Sequence, residues 1–530
     1  MRRMLFGLIG AALALAVSAT AGVGAPAPAP ATPAAVTATT FLVSGRGWGH
    51  GVGMSQYGAL GYAQEGWTYD QILGHFYTGA ELGPAPVARV RVLVAEAKGA
   101  VTVRSPVPFR VRDVFGKTYP LAAGAVPLGP KLRVPVNGTP TELAGPILFL
   151  PGTAPLEVDR PYRGQIEVGV TGTKLDAVNV LGLEQYLQGV VAQEMPSSWP
   201  AEALRAQAVA ARSYALAHLI RGKHFDVYAD VRSQVYGGVP GENPRTTAAV
   251  QATKGEVLLW EGKPIDALFH STSGGHTLDA AEVFGKPVPY LVGVDDPHSD
   301  LSPVHRWGPT PVAETTLRKG LKLRVPVTGL ALTRGASGRV TTASVTTAAG
   351  TTKITGAALR LAGGLRSTWV TQLVTLSLTR PGGAVAYGRT VSLTGRANGI
   401  KGAALQQRVG GAWKQVAGPA LKAKVKLLEP ASFRIAAGKL ASSVLKVPVA
   451  PRVTARAAAR SISGSVTPLD PGATVQLQLD DGGAWVPAGQ TTTGVEGDYV
   501  LTAAEPGTYR VRVAPVQRFA EGLSGRIELR

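Results

Sequence analysis

One glutamate, Glu194, is of a type and in a position that could do acid chemistry. It lies in an apolar stretch, Val190–Pro196, directly before a helix predicted to start at Trp199-Pro200. Apolar surroundings raise the pKa of a carboxyl because a low dielectric disfavours the ionised form, and the retained proton can be donated to a leaving oxygen. The alternative is a structural residue in an ion pair with an arginine, such as Arg205 or Arg212 of that helix. Both interpretations are open from the local sequence.

The chain around this glutamate resembles the core of the stage II sporulation protein D family, which also contains the amidase enhancer LytB. The first matching block runs from Leu183 to Ala215 and includes Glu-Met-Pro. Further blocks follow in the family's order, and they are Ser233–Gly238, Thr253–Leu258, His270–Thr277 and Pro289–Val294. Similarity extends from about Phe41 to about Val370. The resemblance implies peptidoglycan chemistry, because the sporulation members are lytic transglycosylases and the glutamate of Glu-Met-Pro, here Glu194, is their catalytic acid.

A single acid is compatible with that chemistry. Hydrolytic glycosidases normally need two carboxylates, and the matching blocks offer one clear candidate. A lytic transglycosylase can use one acid because the attacking group is the C6 hydroxyl of the bound substrate itself. Glu194 would protonate the bridging oxygen and then, as a carboxylate, take the proton of that hydroxyl. The product would be a 1,6-anhydroMurNAc end.

Other residues of these blocks are candidate substrate contacts. On the predicted helix, Arg205 and Arg212 share one face and Gln207 and Tyr214 share another, so one of the two pairs is expected to be structural. Tyr214 could contact a sugar, or it could pack in the core like most aromatic residues. Ser273 and its neighbours could equally form only turn hydrogen bonds. The predicted substrate-binding residues are Gln207, Arg212, Tyr214, Gln234, Tyr236, His270, Ser273, His50 and Gln56.

A glycine-rich motif, Gly45–Ala59, resembles another hallmark of the family, which usually lies near the C-terminal end of the domain and here comes first. This order suggests a circular permutation, which is tolerated when the original ends lie close together. It predicts that the strand Thr40–Val43 packs beside the segment near Trp369. Alternate glycines allow close backbone approach, so His50 and Gln56 could face a cleft. A tightly packed turn with a hydrogen-bonded histidine is the alternative.

The sequence predicts neither a metal nor a cofactor. It contains no cysteine, which excludes disulfides, a thiolate nucleophile and a Cys-based zinc site. Some sporulation members of the family are thought to bind zinc through a Cys near the stretch that corresponds to Asp230–Ser233, and this stretch has none. His270 and His276 are not spaced to place two ligands on one helical turn. A Ser-His hydrolase is disfavoured because no Gly-x-Ser-x-Gly elbow surrounds Ser273.

Composition and charge predict an exported protein. A basic start, an apolar run from Met4 to Val17 and the small residues Ala19–Ala21 form a secretory signal, and no later stretch could form a membrane helix. The expected location is therefore extracellular and wall-associated. The net charge of +20 is dispersed along the chain, which fits a solvated surface or attraction to anionic wall polymers. Nucleic acid is disfavoured by the export signal and by the lack of a basic stripe interleaved with aromatic residues.

The predicted fold class is an α+β catalytic domain, β-rich with a central helical segment, followed by two all-β sandwich-like modules. Two similar units, around Trp413 and Trp485, combine short alternating strands with turn signals and indicate the tandem modules. The predicted boundaries are a signal peptide at 1–21, an Ala/Pro linker at 22–38, a SpoIID/LytB-like domain at 39–370, and β modules at 371–450 and 451–530.

Together these observations predict a secreted lytic transglycosylase that cleaves the MurNAc–GlcNAc bond of peptidoglycan, in wall remodelling or in sporulation-type wall degradation. The expected partners are glycan strands, with anionic wall polymers or a wall amidase as further candidates. The alternative is a noncatalytic, peptidoglycan-binding activator of a wall amidase, which the LytB name implies for part of the family. A third hypothesis places the function in the C-terminal units, as adhesion modules.

Overall fold

The computed structural model describes residues 34–515 and 518–530. The predicted signal peptide lies outside the described residues, as does most of the predicted linker, whose last positions belong to a strand that begins at Val36. Strands hold 45% of the chain and helices 17%, which confirms the prediction of a β-rich protein. Within the described ranges, no helix combines the length and apolar character needed to cross a membrane.

The helices of the described residues lie in the first 363 positions of the chain. They are α1 (Gln56–Gln64), α2 (Tyr69–Phe76), α3 (Leu183–Glu194), α4 (Ala201–Ala217), α5 (Pro244–Ala252), α6 (Ala280–Phe284), α7 (Glu314–Gly320) and α8 (Gly356–Gly363). Two short 3-10 helices are Val239–Gly241 and Pro297–Leu301.

Strands are distributed along the whole described chain. Those before position 356 are β1 (Val36–Arg46), β2 (Met54–Ser55), β3 (Glu81–Pro84), β4 (Arg89–Lys98), β5 (Val101–Ser105), β6 (Phe109–Arg112), β7 (Thr118–Leu121), β8 (Gly124–Leu128), β9 (Arg133–Val136), β10 (Thr139–Glu142), β11 (Ile147–Leu150), β12 (Leu156–Glu157), β13 (Pro161–Tyr162), β14 (Gln165–Thr171), β15 (Lys174–Gly182), β16 (Val227–Tyr228), β17 (Glu256–Trp260), β18 (Lys263–Pro264), β19 (Phe269–His270), β20 (Arg306–Ala313), β21 (Val327–Arg334), β22 (Val340–Thr347) and β23 (Gly350–Thr355).

The remaining strands form the C-terminal part. They are β24 (Val370–Arg380), β25 (Val385–Ala386), β26 (Thr390–Asn398), β27 (Ala404–Val409), β28 (Ala412–Ala417), β29 (Lys422–Lys426), β30 (Ala431–Ala437), β31 (Leu440–Ala441), β32 (Leu445–Val447), β33 (Val449–Ala450), β34 (Arg452–Ala458), β35 (Ser461–Thr467), β36 (Thr474–Asp481), β37 (Ala484–Thr492), β38 (Asp498–Thr502), β39 (Gly507–Val513), β40 (Gly522–Leu523) and β41 (Ile527–Leu529).

Helices α3 and α4 pack against a seven-stranded sheet in the order β16-β4-β15-β14-β11-β6-β7. Strand β15 leads directly into α3, because Gly182 ends the strand and forms the N-cap of the helix. Tyr186 and Leu187 of α3 join the core of this sheet together with Ala211 of α4. The other side of α4, including Val209, packs in a second core against α2. Helix α4 is therefore covered on two sides, and its many alanines allow that close packing.

The helix boundaries near Glu194 differ from the sequence prediction. Pro200 was predicted at the first helical position, but it is the extended N-cap, with ψ 148°, and α4 begins at Ala201. Proline tolerates this position because it has no backbone N–H to leave unpaired. Glu194 is not in a connecting stretch: it is the last residue of α3, and Met195 forms the extended C-cap.

Strand β1 occupies a central position in a five-stranded sheet of order β20-β1-β24-β26-β29. It pairs antiparallel with β24, in a register that places Val43 opposite Leu373 and Gly45 opposite Val370. The backbone N–H of Arg46 also donates to the carbonyl of Trp369 at 2.9 Å. The predicted packing of 40–43 beside the segment near Trp369 is confirmed, and this is the proximity that a circular permutation requires.

The same sheet crosses the predicted boundary at 370. Successive residues of a strand face opposite sides, so Phe41 and Val43 of β1 enter the core formed with β20 and α7, whereas Leu42 enters the core of the first C-terminal module. Strand β24 continues without a break into that module and pairs there with β26. The first module is therefore joined to the preceding domain by shared strands.

The two predicted Trp units have matching local geometry. Trp413 on β28 lies under the guanidinium of Arg434, at 4.3 Å from its ring centroid. Trp485 on β37 lies under Arg510 in the same way, at 4.2 Å. In each case the arginine comes from a strand that pairs with the partner of the Trp strand. This correspondence supports an internal duplication, while the prediction of two separate modules stays a prediction.

Candidate functional site

Glu194 sits at the C-terminal end of α3 among buried apolar neighbours. Val190, Val191 and Met195 are at most 1% exposed, and the Glu194 side chain itself is half-buried. This burial raises the pKa of Glu194 above that of an ordinary glutamate. The partial negative charge of a helix C-terminus acts in the same direction, because it disfavours a carboxylate. The carboxyl is thus placed to keep its proton closer to neutral pH.

The arginines of α4 do not pair with Glu194. Arg205 pairs with Glu202 on the same helix at 2.5 Å, and Arg212 pairs with Glu184 at 2.6 Å. Within the described residues the carboxyl of Glu194 forms no ion pair. The alternative interpretation of Glu194 as an arginine-bound structural residue is therefore wrong for this structure.

Gln56 connects the glycine-rich motif to Glu194. Its Nε2 donates to the backbone carbonyl of Glu194 at 2.9 Å and to Oε1 of Gln207 at 3.1 Å. Ser55 caps the helix that begins at Gln56, since its Oγ accepts from the N–H of Gly58 at 3.2 Å. Two motifs more than 130 positions apart are thereby brought together. Gln207 is fully buried, so its role is to hold Gln56, and the prediction of a direct substrate contact by Gln207 is not supported.

Tyr214 lies on α4 within electrostatic reach of two carboxyls. Its hydroxyl pKa is raised by burial and by the charges of Asp266 and Glu194. Burial also raises the pKa of Asp266, whose Oδ1 is 3.5 Å from Nε2 of His218. Asp266 was not among the predicted site residues. A detectable signal existed, because Asp266 is an isolated acid in the apolar stretch 265–269, the same pattern that distinguished Glu194.

Two aromatic side chains also flank the site. Tyr57 follows Gln56, and Trp199 follows the turn after Glu194. Their rings meet edge to face with centroids 4.9 Å apart, and both side chains are half-buried. Partly exposed aromatic rings of this kind offer apolar faces and polar edges to a ligand. Neither residue was predicted, because nothing in their local sequence separates them from core aromatics.

Arg212 is a structural residue rather than a substrate contact. Its side chain is fully buried. Nε and Nη2 donate to the two carboxylate oxygens of Glu184 at 3.0 and 2.6 Å, and the guanidinium also donates to the carbonyls of Glu256 and Val250. All of these partners belong to the protein, so the prediction for Arg212 is wrong in this structure. The expectation that one of the two helix pairs is structural agrees with the arginine pair, because Arg205 and Arg212 both form ion pairs within the protein.

Gln234 and Tyr236 are also buried within the fold. The Tyr236 hydroxyl donates to Oδ1 of Asn179 at 2.9 Å. Gln234 accepts from the Tyr186 hydroxyl at 3.2 Å and donates to the carbonyl of Ala211 at 3.3 Å. Both side chains are less than 5% exposed. Their hydrogen bonds tie this segment to α3, α4 and β15. The prediction that these two side chains contact a substrate is therefore not supported.

The polar residues beside the glycines serve the packed turn. Ser273 is fully buried, and its Oγ donates to Asp296 at 2.5 Å. His270 is 5% exposed, with Nδ1 3.2 Å from the carbonyl of Val52. His50 accepts from the N–H of Val52 and contacts the carbonyl of Phe269 at 3.0 Å. Burial lowers the pKa of His50 to about 4, so its ring is neutral. For His50, His270 and Ser273 the structure favours the hydrogen-bonded turn over a cleft lining.

The chemistry-bearing groups that remain partly exposed around Glu194 are therefore few. They are the carboxyls of Glu194 and Asp266, the amide of Gln56, the hydroxyl of Tyr214 and the rings of Tyr57 and Trp199. In the described part of the chain, no three His, Asp or Glu side chains gather closely enough to hold a metal ion. The arrangement can donate and accept one proton and can present aromatic and amide surfaces to a polar ligand.

Comparison with known proteins gives a match to the segment that contains Glu194, Trp199 and Tyr214, while Gln56, Tyr57 and Asp266 lie outside that segment. Residues 171–260 match the family model described as Stage II sporulation protein. Stage II sporulation protein D of Bacillus subtilis is 32% identical over 176 residues, covering 30% of this chain and 51% of that protein. The Amidase enhancer of Bacillus subtilis is 43% identical over 111 residues, covering 21% and 15%. A protein of Brachyspira hyodysenteriae described as uncharacterized is 45% identical over 120 residues, covering 22% and 33%.

The chain thus spans about half or less of the length of these curated relatives. Among solved structures, a segment with two fibronectin type III domains from chicken tenascin matches 28% of this chain and 97% of its own length, at 16% identity. Its TM-score is 0.19, which is too low to support a conclusion about the fold.

Proposed function

We propose that this chain, which carries a core of the SpoIID/LytB family, acts on the bacterial cell wall as a lytic transglycosylase that cleaves peptidoglycan glycan strands. The observation that carries the proposal is the state of Glu194. Its carboxyl is half-buried, has a raised pKa and forms no ion pair within the described residues, which are the properties needed in a general acid. The names of the relatives, a sporulation protein and an amidase enhancer, agree with a wall-related role.

In this proposal Glu194 performs two proton transfers. It first donates its proton to the oxygen that bridges C1 of MurNAc to GlcNAc, and that bond breaks with the GlcNAc hydroxyl leaving. The C6 hydroxyl of the same MurNAc forms the new bond to C1, and its proton returns to the Glu194 carboxylate. The residue ends as it began, protonated, and the product is a 1,6-anhydroMurNAc end with no water consumed.

The neighbouring residues are assigned supporting roles. Gln56 fixes the end of α3 through the Glu194 carbonyl and thereby positions the carboxyl. The half-buried rings of Tyr57 and Trp199 are candidates for stacking on sugars. Tyr214 lies within electrostatic reach of both carboxyls and is the predicted contact that best retains a role. These roles follow from partial exposure near Glu194, and exported, wall-associated placement is part of the same proposal.

The test compares three carboxyl-to-amide variants on purified glycan strands without peptides, with anhydro ends measured by mass spectrometry. Glu194→Gln is expected to lower the rate by about 10²- to 10⁴-fold, the usual contribution of a general acid. Exposed Glu81 on β3 supplies the matched control, and Glu81→Gln should be fully active. The rate of Asp266→Asn shows whether the second carboxyl is needed for strand cleavage. Full activity of Glu194→Gln, or loss confined to Asp266→Asn, would remove Glu194 from the assigned role.

A second candidate is a noncatalytic activator of a wall amidase. Two observations favour it: the 43% identity to the Amidase enhancer of Bacillus subtilis, and the burial of most of the residues predicted to contact sugar. An amidase assay on intact sacculi separates the two functions. An activator would stimulate a purified wall amidase equally well as wild type and as Glu194→Gln, while neither form generated anhydro ends.

A further inference from the structure

A cavity of about 140 Å³ lies away from Glu194, between the glycine-rich motif and the region of β22, β23 and α8. Its lining includes His50, Glu282, Arg339, Thr355, Ala357 and Arg360. None of these is assigned a role at the proposed catalytic site. The volume exceeds the roughly 10–15 Å³ that a single water requires by this measure, so the cavity could hold a small polyatomic ion.

Arg339 brings a buried guanidinium to this cavity. The residue is 2% exposed, and its Nη2 donates to the carbonyls of Ser273 and His276 at 2.5 and 3.1 Å. Its Nη1 is buried and has no hydrogen-bond partner among the described residues. A buried donor of a charged group that lacks a partner is costly, so this atom calls for an acceptor from outside the protein.

The position of Arg339 is tightly defined. Its guanidinium lies 4.8 Å from the ring centroid of Trp369. On the other side, a Cβ added to Gly51 would lie 3.0 Å from its Cζ and Nη1, and Gly51 has a φ of +89°, so only glycine fits there without strain. Burial lowers the pKa of Arg339 to about 10, so the group is still a cation at neutral pH.

The first turn of α8 is a second, independent source of positive potential. Gly356 and Ala357 of this eight-residue helix line the cavity, and Thr355 caps it by accepting from the N–H of Ala358 at 3.1 Å. The first N–H groups of a helix lack intrahelical partners and favour an anion. Gly356 packs closely against the Val340 carbonyl, with which an added Cβ would clash, so only glycine fits at this start of the helix.

The local charge balance favours a bound anion. Arg360 of α8 is a second guanidinium in the lining, and burial lowers its pKa. Burial lowers the pKa of His50, and the nearby charges of Arg360 and Arg339 lower it further. Glu282 is the carboxylate of the lining, and its Oε2 accepts from Ser337 at 2.6 Å. Two cations and a helix start therefore outweigh one anion.

We propose that this cavity is a phosphate-binding site, formed by Arg339, Arg360 and the N-terminus of α8. Donors from three separate groups suit the several oxygens of a phosphate group better than the two oxygens of a carboxylate. The group could be a free phosphate or a phosphodiester in a chain polymer. The site is independent of Glu194, so it stands or falls separately from the proposed catalytic function.

The test measures the melting temperature of the full chain against the concentration of inorganic phosphate, at ionic strength held constant with sodium chloride. A ligand that binds only the folded state raises the melting temperature with a saturable dependence. Wild type is expected to show this rise, and acetate at the same ionic strength is expected to give none. Dimethyl phosphate serves as the diester probe: binding as tight as phosphate identifies a polymer phosphodiester as the source, and weaker binding identifies a free phosphate or a terminal ester.

Two variants make the test specific. Ala357→Glu places a carboxylate at the rim in the first helical turn, where it favours the helix dipole and so should not impair folding. Ala357→Glu should weaken phosphate binding by about tenfold or more, because its carboxylate repels the anion. Arg360→Gln should have a similar effect, because it removes a cation that attracts the anion. Two variants are the controls and should bind like wild type. They are Ala357→Gln, at the same position without the charge, and Lys401→Gln, in an exposed loop. Equal shifts in all variants, no saturable shift in wild type, or a shift with acetate alone would each overturn the proposal.

Discussion

The two ends of helix α3 carry glutamates that the structure treats in opposite ways. Glu184, in the first turn, receives Arg212 on both carboxylate oxygens and the N–H of Gly255 at 3.1 Å. Glu194, the last residue, has no ion pair within the described residues and lies beside apolar side chains. The residue type and the helix are the same. Their partners and their positions along the helix differ.

This difference separates a structural carboxylate from a candidate acid. A helix N-terminus favours negative charge and a C-terminus disfavours it, so α3 itself stabilises the ionised form of Glu184 and not that of Glu194. The guanidinium of Arg212 adds to the first effect, and burial adds to the second by raising the pKa of Glu194. Removing the charge is therefore expected to lower the free energy of unfolding at Glu184 and to raise it at Glu194.

The largest expected effect is at the partner of Glu184. Arg212→Met should lower the free energy of unfolding by about 3–5 kcal/mol, because it leaves a largely buried carboxylate unpaired. Urea denaturation followed by circular dichroism measures this. Arg205→Met is the matched control: its pair with Glu202 is partly exposed, so its loss should cost about 1 kcal/mol or less. Similar losses in the two variants would contradict the structural assignment of Arg212.

A smaller loss is expected from the carboxylate itself. Glu184→Gln keeps one acceptor oxygen but removes the charge, so Arg212 retains only part of its hydrogen bonding. The expected cost is about 2 kcal/mol, the range for hydrogen bonds to charged groups. Urea denaturation at neutral pH again gives the value, with Glu81→Gln as an exposed control. Unchanged stability of Glu184→Gln would contradict the comparison, because it would mean that the charge of Glu184 does not stabilise the fold.

Sequence reasoning succeeded where the cause was local. The apolar neighbours that raise the pKa of Glu194 are adjacent to it in the chain. It failed where the partner was distant. The carboxylate that takes Arg212 is 28 positions away, and the amide that takes the Tyr236 hydroxyl is 57 away. A polar residue in a matched motif therefore looks the same whether it meets a ligand or a buried partner.

The fold was predictable to a similar extent. The alternating pattern of the strands and the alanine content of the long helix predict these elements from local sequence. The sheet that joins the domain to the first module could not be predicted from local sequence, because β1 and β24 pair residues more than 300 positions apart. The proximity of β1 to Trp369 was nevertheless predicted, since the order of the motifs carried information that periodicity lacks.

A moderate effect is expected at the contact that fixes the C-terminal end of α3. Gln56→Ala removes the donor to the Glu194 carbonyl and leaves Oε1 of Gln207 without that partner, at a cost of about 1 kcal/mol. A double-mutant cycle with Gln207→Ala should give a coupling energy of similar size, because the two side chains are in direct contact. Gln64→Ala, at the exposed end of α1, should not couple with Gln207→Ala. Strict additivity of Gln56→Ala and Gln207→Ala would remove Gln56 from its positioning role.

The smallest effect has the opposite sign and is the sharpest test of the comparison. The unfolded carboxyl of Glu194 titrates near 4.5, and the folded one titrates higher. Below 4.5 both states are protonated, so this group does not affect stability. As pH rises above 4.5 the unfolded state ionises first, unfolding releases a proton, and the contribution of Glu194 to stability falls until the folded carboxyl has also ionised.

Glu194→Gln abolishes this titration, so the variant should gain stability relative to wild type as the pH is raised from 4 to 8. Urea denaturation at several pH values measures the difference, and its rise should level off above the folded pKa. Glu81→Gln, at an exposed carboxyl, is the control measured over the same pH range. A difference that stays flat, or that falls with rising pH, would remove the physical basis for the role of Glu194 as an acid.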